Sequence, residues 1–245
     1  MWYLVQDISW VDWVAFAQTA IVAAVVMTLG ILAGRTGRFD KSVTRKALHI
    51  GMGGTYILYW PLYSNAWYAR YLCAAVPYLA TVVFALVGLG IFRFAPLVRA
   101  ATRNGSHQEL LTGPLLYGIV HVLATVVFWT SSPSGVAALA VLCFGDGAAE
   151  LAGRRWGRAV LLYNPKKTWA GSLACLIAGG VAATAYTFLF SKLGLYDRPV
   201  GMGALAAGCM LSATVGAVAE SLPLEGDNLT VSLATVLTAV WFFGF

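Results

Sequence analysis

The sequence predicts an all-α membrane protein, a polytopic bundle of transmembrane helices, and two observations support this class. Of the 245 residues, 60% are hydrophobic and only 11% are charged, with a mean hydropathy of +0.76. A soluble domain carries about 25% charged residues, so most of this surface must face something other than water. Apolar runs of roughly the 20 residues that a span requires also continue from end to end. We therefore expect one membrane-embedded domain covering residues 1–245.

Eight of these runs, each bounded by charged or turn residues, predict transmembrane helices. The first run follows a segment without Lys or Arg, unlike the start of a signal peptide, and we expect it to be retained as a span. The second and the last runs are short, and the fifth contains two acidic residues, so a bundle of seven spans is the alternative. The predicted spans are Trp13–Gly34, Ala47–Tyr63, Tyr71–Phe92, Gly113–Ser131, Ser134–Gly153, Gly171–Phe190, Val200–Ala219 and Leu229–Phe245.

The distribution of basic residues predicts the orientation, because cytoplasmic loops of membrane proteins carry an excess of Lys and Arg. Three basic residues, Arg70, Lys192 and Arg198, fall in one alternating set of loops, and the other thirteen fall in the opposite set. Both termini are therefore predicted to lie outside, and orientation explains the net charge of +6 without a nucleic-acid partner. The predicted cytoplasmic set is Arg35, Arg38, Lys41, Arg45, Lys46, Arg93, Arg99, Arg103, Arg154, Arg155, Arg158, Lys166 and Lys167.

Four polar segments lie on the predicted cytoplasmic side, and the first starts the second span. It reads RKALH, from Arg45 to His49. Arg45 and His49 are one helical turn apart and share a face. Two cations and an imidazole at the membrane interface suit phosphate binding. A basic anchor whose side chains extend to the lipid headgroups explains the same residues and remains open.

The second segment reads FGDGAAELAGRRWGR and contains two carboxylates. Asp146 and Glu150 are four residues apart, so both project from one helical face, near membrane depth, where ionised side chains are costly and usually functional. Glycines on both sides of Asp146 permit an irregular turn and the close approach of a ligand. Paired oxygen ligands suit Mg²⁺. The alternative is a helix end in which these acids pair with Arg154 or Arg158.

The third segment is rich in lysines, and the fourth is rich in acids. NPKKTWAGS, residues 164–172, leads into the sixth span, and lysines and hydroxyls at a helix N-terminus predict a phosphate site, with a basic anchor as the alternative. ESLPLEGDNLT, residues 220–230, has three acids and no base, so neighbouring cations or a metal must compensate its charge unless the loop is simply solvated. Neither a P-loop nor a protein-kinase HRD or DFG motif occurs in the chain.

Together these segments resemble the polyprenol kinase family, which includes dolichol kinases and phytol kinases, and they are most similar to the phytol kinases. ELLTGPLLY, from Glu109 to Tyr117, and the FW and SP pairs of residues 128–133 are similar to further motifs of that family. The motifs follow the family's order from about residue 35 to residue 240. Glu150 and Thr168 stand where phytol kinases usually have Asp and Ser; both differences are conservative and concern the choice of substrate more than the type of reaction.

The resemblance implies phosphorylation of a prenyl alcohol (phytol, geranylgeraniol or farnesol) with CTP as phosphoryl donor and Mg²⁺ as cofactor. Expected partners are the alcohol, CTP and membrane lipid. Taken with the residue chemistry above, it implies catalytic roles for Asp146, His49 and Lys167, and metal binding by Asp146, Glu150 and Asp227. The expected nucleotide-binding residues are Arg45, Lys46, Arg154, Arg158, Lys166, Lys167, Thr168, Ser172 and Asn228.

Two other functions stay open from the sequence. A CTP-dependent cytidylyltransferase that makes a CDP-lipid shares a GRxxG stretch and a lysine-rich segment, but we would expect it to carry a glycine- and histidine-rich acidic motif that ESLPLEGDN does not resemble. A transporter also places ionisable residues inside the membrane. The acids of this chain cluster on one predicted side, which disfavours an ion pathway. Substrate-dependent release of CDP from CTP distinguishes the kinase from both alternatives.

Overall fold

The computed structural model describes residues 9–223 and 227–244, except for the side chain of Asp227. This part of the chain is almost entirely helical, with one short hairpin. Tight 3-10 turns lie at Trp60–Leu62 and His107–Leu111. The elements are α1 Trp10–Thr36, α2 Lys41–Tyr59, α3 Ala69–Gly88, α4 Ala95–Ala101, α5 Gly113–Phe128, α6 Pro133–Ala140, α7 Gly147–Trp156, β1 Val160–Leu161, β2 Asn164–Thr168, α8 Trp169–Lys192, α9 Met202–Ser221 and α10 Asp227–Phe243.

The predicted class, an all-α polytopic membrane bundle, is confirmed. Six helical segments are long and apolar enough to cross a membrane, and each coincides with a predicted span. The two remaining predicted spans, the short second and last ones, correspond to α2 and α10, and α10 is apolar but shorter. The six segments are Trp10–Thr36, Ala69–Gly88, His107–Phe128, Pro133–Trp156, Trp169–Lys192 and Met202–Ser221.

Two elements differ from the expected boundaries. Helix α2 begins at Lys41, six residues before the predicted span, because the carboxylate of Asp40 caps it by accepting the N–H of Ser42 at 2.7 Å. The lysines expected at the N-terminus of the sixth span lie instead on β2, which pairs antiparallel with β1. Helix α8 starts one residue after β2, and the hydroxyl of Thr168 caps it by accepting the N–H of Gly171.

The segment Pro133–Trp156 lies at the centre of the bundle and is the most buried of the six. It consists of α6, a π-helical turn at Val141–Asp146, and α7. Helices α2, α5, α8 and α10 pack around α6, and α2 and α8 also pack around α7. Because other helices surround the buried part of this segment, a polar side chain there is removed from lipid and must find its partners inside the protein.

The glycines around Asp146 allow neighbouring helices to approach closely. A Cβ atom on Gly147 would overlap the side chain of Ile50 on α2, and one on Gly145 would lie 3.1 Å from the carbonyl oxygen of Cys175 on α8. The irregular turn expected from these glycines is a single π-helical turn, and the chain remains helical through it. Asp146 is the last residue of this turn and stands between the two glycines at which α8 and α2 approach the central segment closely.

Candidate active site

Asp146 forms the buried centre of the site. Asp146 is 6% exposed, and its Oδ2 atom lies 2.5 Å from Nζ of Lys46 and 3.3 Å from Nε2 of His49. Lys46 is only 3% exposed. Lys46 and His49 occupy adjacent turns of α2. The face of α2 that was expected to bind phosphate therefore contacts the carboxylate of Asp146. A buried ion pair of this kind is maintained only when both charges are compensated.

The imidazole of His49 is held in one orientation. Its Nε2 atom faces two acceptors, the Asp146 carboxylate and the carbonyl oxygen of Leu142 at 3.0 Å, so this nitrogen carries the hydrogen and donates. The hydroxyl of Tyr117 donates to the backbone carbonyl of His49 at 2.6 Å, and the two rings lie 4.2 Å apart between centroids. His49 therefore acts in this arrangement as a donor toward Asp146, and its catalytic role stays a prediction.

Glu150 lies one turn beyond Asp146 and faces the same helix, α2, as the spacing predicts. Arg45 and the hydroxyl of Ser42 both donate to its carboxylate. Nζ of Lys46 lies 3.7 Å from Oε2. The exposed guanidinium group of Arg103 lies 3.5 Å from Oε2, and that of Arg154 lies 3.5 Å from Oε1. Both carboxylate oxygens of Glu150 thus face cations or a hydroxyl donor.

The third and fourth polar segments meet at the end of α9. Lys167 on β2 forms an ion pair with Glu220, which is 4% exposed at the end of α9. The Asn164 side-chain amide donates to the carbonyl oxygen of Ser221 at 2.9 Å, which ties β2 to α9. Lys167 also interacts electrostatically with Asp146. The structure therefore brings residues of all four segments into one network, in which RKALH supplies cations from α2.

The network carries more positive than negative charge. In the described part of the chain, its ion pairs join five Lys or Arg side chains to three carboxylates. Charges inside a protein interact more strongly than in water because the local dielectric constant is low. An excess of cations that can form charge-assisted hydrogen bonds suits a polyanionic ligand such as a nucleotide phosphate. The cations are Arg45, Lys46, Arg103, Arg154 and Lys167, and the carboxylates are Asp146, Glu150 and Glu220.

Asp146 fits the requirements of a magnesium ligand better than Glu150 does. Both ion pairs of Asp146 use Oδ2, whereas cations or a hydroxyl face both oxygens of Glu150. Among the described residues, no three His, Cys, Asp or Glu side chains lie close enough to hold a metal by themselves. Mg²⁺ usually takes one or two carboxylates and completes its shell with phosphate oxygens and water. A single carboxylate beside a phosphate site is therefore sufficient, and metal binding by Asp146 and by Glu150 stays a prediction.

Several predicted nucleotide-binding residues lie at the margin of the network. Lys166 and Arg158 are exposed, and in the described part of the chain no ion pair joins them to the carboxylates. Thr168 caps α8, as described above. Ser172, one turn into α8, has a buried hydroxyl with no hydrogen-bond partner among the described residues. Their roles toward a nucleotide stay predictions.

The structure describes the side chain of only one residue of the DN pair in the fourth segment. The Asn228 side-chain amide donates to the carbonyl oxygen of Gly113 at 2.9 Å, which joins the start of α10 to the start of α5. This contact connects the DN pair with the ELLTGPLLY stretch. The side chain of Asp227, expected as a metal ligand, lies outside the described residues.

Four residues join the site without having been expected there. Ser42, Arg103, Tyr117 and Glu220 contact the predicted residues directly. Glu220 and Tyr117 stand within motifs that carried the resemblance, so the sequence offered a signal for them. Ser42 and Arg103 stand in no such motif, and their positions follow from the packing of α2 and of the loop after α4 against α7.

The fold and the site define a helical membrane protein with a buried, cation-rich ion-pair network, and comparison with known proteins identifies its family. The chain is 36% identical over 230 residues to a probable phytol kinase 2 of Oryza sativa, covering 93% of this chain and 75% of that protein. It is 35% identical to the farnesol kinase of Arabidopsis thaliana (95% and 76% covered) and 38% identical to phytol kinase 1 of the same plant (84% and 68%).

All three relatives carry the description chloroplastic. No sequence profile of a protein family matches the chain, and no solved structure matches it. The identities and coverage nevertheless show that this chain belongs to the polyprenol kinase family, within the group of the phytol and farnesol kinases, and that it is a kinase.

Proposed function

We propose that this chain transfers the terminal phosphate of CTP to the hydroxyl group of a prenyl alcohol, with Mg²⁺ as cofactor, at the cytoplasmic face of the membrane. The observation that carries the proposal is the position of Asp146, a buried carboxylate between Lys46 and His49 with Lys167 in electrostatic range. The named relatives support the acceptor, because they are described as kinases of phytol and of farnesol. Phytol, geranylgeraniol and farnesol are the candidate substrates.

Phosphoryl transfer requires the alignment of donor and acceptor and the neutralisation of charge more than covalent chemistry. The cations of the network can supply both. Lys46 on α2 and Lys167 on β2 both interact with Asp146, and Arg45 lies one residue from Lys46. When a nucleotide binds, its phosphate oxygens accept hydrogen bonds from Arg45 and Lys167, while Lys46 keeps its ion pair with Asp146. Because the site is already cationic, the exchange leaves few unpaired charges.

Asp146 is the residue that would hold Mg²⁺. A bound magnesium ion neutralises phosphate charge and orients the donor. Lys46 and His49 hold the carboxylate of Asp146 in place through Oδ2, and His49 is itself fixed by Leu142 and Tyr117. This series of contacts positions the carboxylate before any ligand is present, which is what preorganised catalysis requires.

The positive-inside bias of the sequence and the membrane-spanning helices together support the location. Lys167 lies two residues before the start of α8 and Glu220 is the second-last residue of α9, and the predicted cytoplasmic loops carry thirteen of the sixteen basic residues. A prenyl alcohol would place its hydroxyl at this interface and its apolar chain between helices. CTP, a water-soluble nucleotide, would approach from the cytoplasm.

The test is product analysis with the protein purified in detergent. The protein is incubated with Mg²⁺, CTP and each alcohol, and CDP and prenyl monophosphate are quantified, with reactions lacking alcohol as controls. We expect CDP release that depends on the alcohol and matches the monophosphate formed. Pyrophosphate release with a CDP-lipid product would instead identify a cytidylyltransferase. Turnover with ATP but not CTP would show that the proposed donor is wrong.

A further inference from the structure

The loop after α4 carries Arg103 to the rim of the ion-pair network. Its Nη2 atom lies 3.5 Å from Oε2 of Glu150, and its side chain is 60% exposed. Arg45 and Lys46, which face the same carboxylate, are largely buried by comparison. Arg103 is therefore a cation of the site that is also accessible to a ligand arriving from solution.

The backbone of this loop is held by Glu109. The carboxylate of Glu109 accepts the N–H of Arg103 at 2.7 Å and the N–H of Asn104 at 2.9 Å, one on each oxygen. Hydrogen bonds to an ionised acceptor are about twice as strong as neutral ones. Glu109 begins the ELLTGPLLY stretch, to which the sequence assigned no role. The acid therefore fixes the point from which the Arg103 side chain extends.

Other contacts make the loop and its support rigid. The Thr102 hydroxyl accepts the N–H of Gly105 at 3.1 Å, and Gly105 has a φ of +82°, a conformation that favours glycine. Leu110, next to Glu109, is fully buried and packs in a small apolar cluster with Val87 and Leu97. The turn that carries Glu109 and the helix that precedes the loop thus share one core.

We propose that Arg103 contacts a phosphate group of the nucleotide and that Glu109 is a positioning residue for Arg103; the inference rests on the proposed kinase function. The contact between Arg103 and Glu150 is long, and Arg45 and Ser42 already occupy that carboxylate. A guanidinium group binds phosphate through two parallel hydrogen bonds, so phosphate is the better partner for Arg103. On nucleotide binding, Arg103 leaves Glu150 and closes over the phosphates from the open side of the site.

The first experiment compares Arg103→Ala with Arg99→Ala, an exposed arginine on α4 to which the site assigns no role. We expect Arg103→Ala to raise the KM for CTP about tenfold or more, since a hydrogen bond to a charged group contributes that much to binding. The KM for the alcohol should stay within twofold, and Arg103→Lys should restore part of the loss. An unchanged KM for CTP, or an equal rise in Arg99→Ala, would overturn the assignment.

The second experiment tests whether Glu109 acts through Arg103. In Glu109→Gln one amide oxygen can still accept, but the amide nitrogen faces the second backbone N–H and repels it. We expect a smaller rise in the KM for CTP than in Arg103→Ala, and no further rise when both changes are combined. Effects that multiply in the double variant would mean that Glu109 acts on the fold in general and does not position Arg103.

A binding measurement separates this inference from the proposed function. If the wild-type protein releases no CDP with any alcohol, the proposed function fails. Tripolyphosphate, which carries the phosphates without the nucleoside, still tests Arg103 through its effect on the thermal unfolding temperature. We expect a smaller upward shift in Arg103→Ala than in wild type and Arg99→Ala. The same shift in all three proteins, or none in any, would refute the role of Arg103.

Discussion

Asp146→Asn separates the chemistry of the site from its stability. The substitution preserves the shape of the side chain and removes the charge that would hold Mg²⁺ and that now faces Lys46 and His49. We expect at least a hundredfold fall in kcat, on the order of 3 kcal/mol of lost transition-state stabilisation. Glu150→Gln should lower kcat less, because its neighbours are cations that a nucleotide phosphate can also pair with.

The same change should also affect stability, and the structure sets the size of that effect. Removing one member of a buried ion pair typically destabilises a protein by about 3–5 kcal/mol, because the remaining charge is left uncompensated. Lys46 is 3% exposed, but it lies 3.7 Å from Glu150, which can compensate part of its charge. We therefore expect a loss at or below the lower end of that range.

The double variant Lys46→Met/Asp146→Asn removes both charges and distinguishes the two effects. A buried ion pair can often be replaced by groups of similar volume without loss of stability. We expect the double variant to regain most of the stability while remaining as inactive as Asp146→Asn. All four cysteines are buried and free, so a thiol-reactive dye reports unfolding of each protein in detergent.

Two outcomes would refute this reasoning. If Asp146→Asn retains nearly normal kcat throughout a magnesium titration, Asp146 is not the metal ligand, and the acidic segment 220–227 becomes the better candidate. If the double variant regains activity together with stability, Asp146 serves the fold and not the reaction. Loss of both activity and stability in Asp146→Asn, with recovery of stability alone in the double variant, supports the assignment.

Three further predictions concern neighbouring parts of the molecule. Lys167→Ala should raise the KM for CTP in steady-state kinetics, and an unchanged KM would remove Lys167 from the site. Gly147→Ala should push α7 away from α2 and lower both the unfolding temperature and kcat. Gly203→Ala, at a position where a Cβ atom has open space, should lower neither. Similar losses in both variants would contradict the packing argument. Cysteines introduced at Arg158 and Lys192 should react with an impermeant maleimide from opposite sides of the membrane, the first from the cytoplasm. Labelling of position 158 from outside would refute the predicted topology.

The site illustrates which features local sequence could predict. The spacing of Asp146 and Glu150 placed both carboxylates on one face, and both contact α2. The spacing of Arg45 and His49 likewise placed them on one face, and they contact those two carboxylates. These predictions depend only on the helical period, which residues one turn apart obey wherever the helix lies. The predicted start of α2 is six residues late because Asp40 caps the helix ahead of its apolar run.

By itself the sequence determined the membrane class, the positions of the spans and the family, since composition and apolar length sum over many residues and follow from the demands of lipid. Only the tertiary structure decided the partners. Lys46 meets Asp146 across 100 residues of chain, and Lys167 meets Glu220 across 53. Such pairs depend on how closely α2, α8 and α9 approach the central segment. That distance is determined jointly by the volumes of side chains far apart in the sequence. No local pattern contains that information, and the ion pairs form only once the helices have packed.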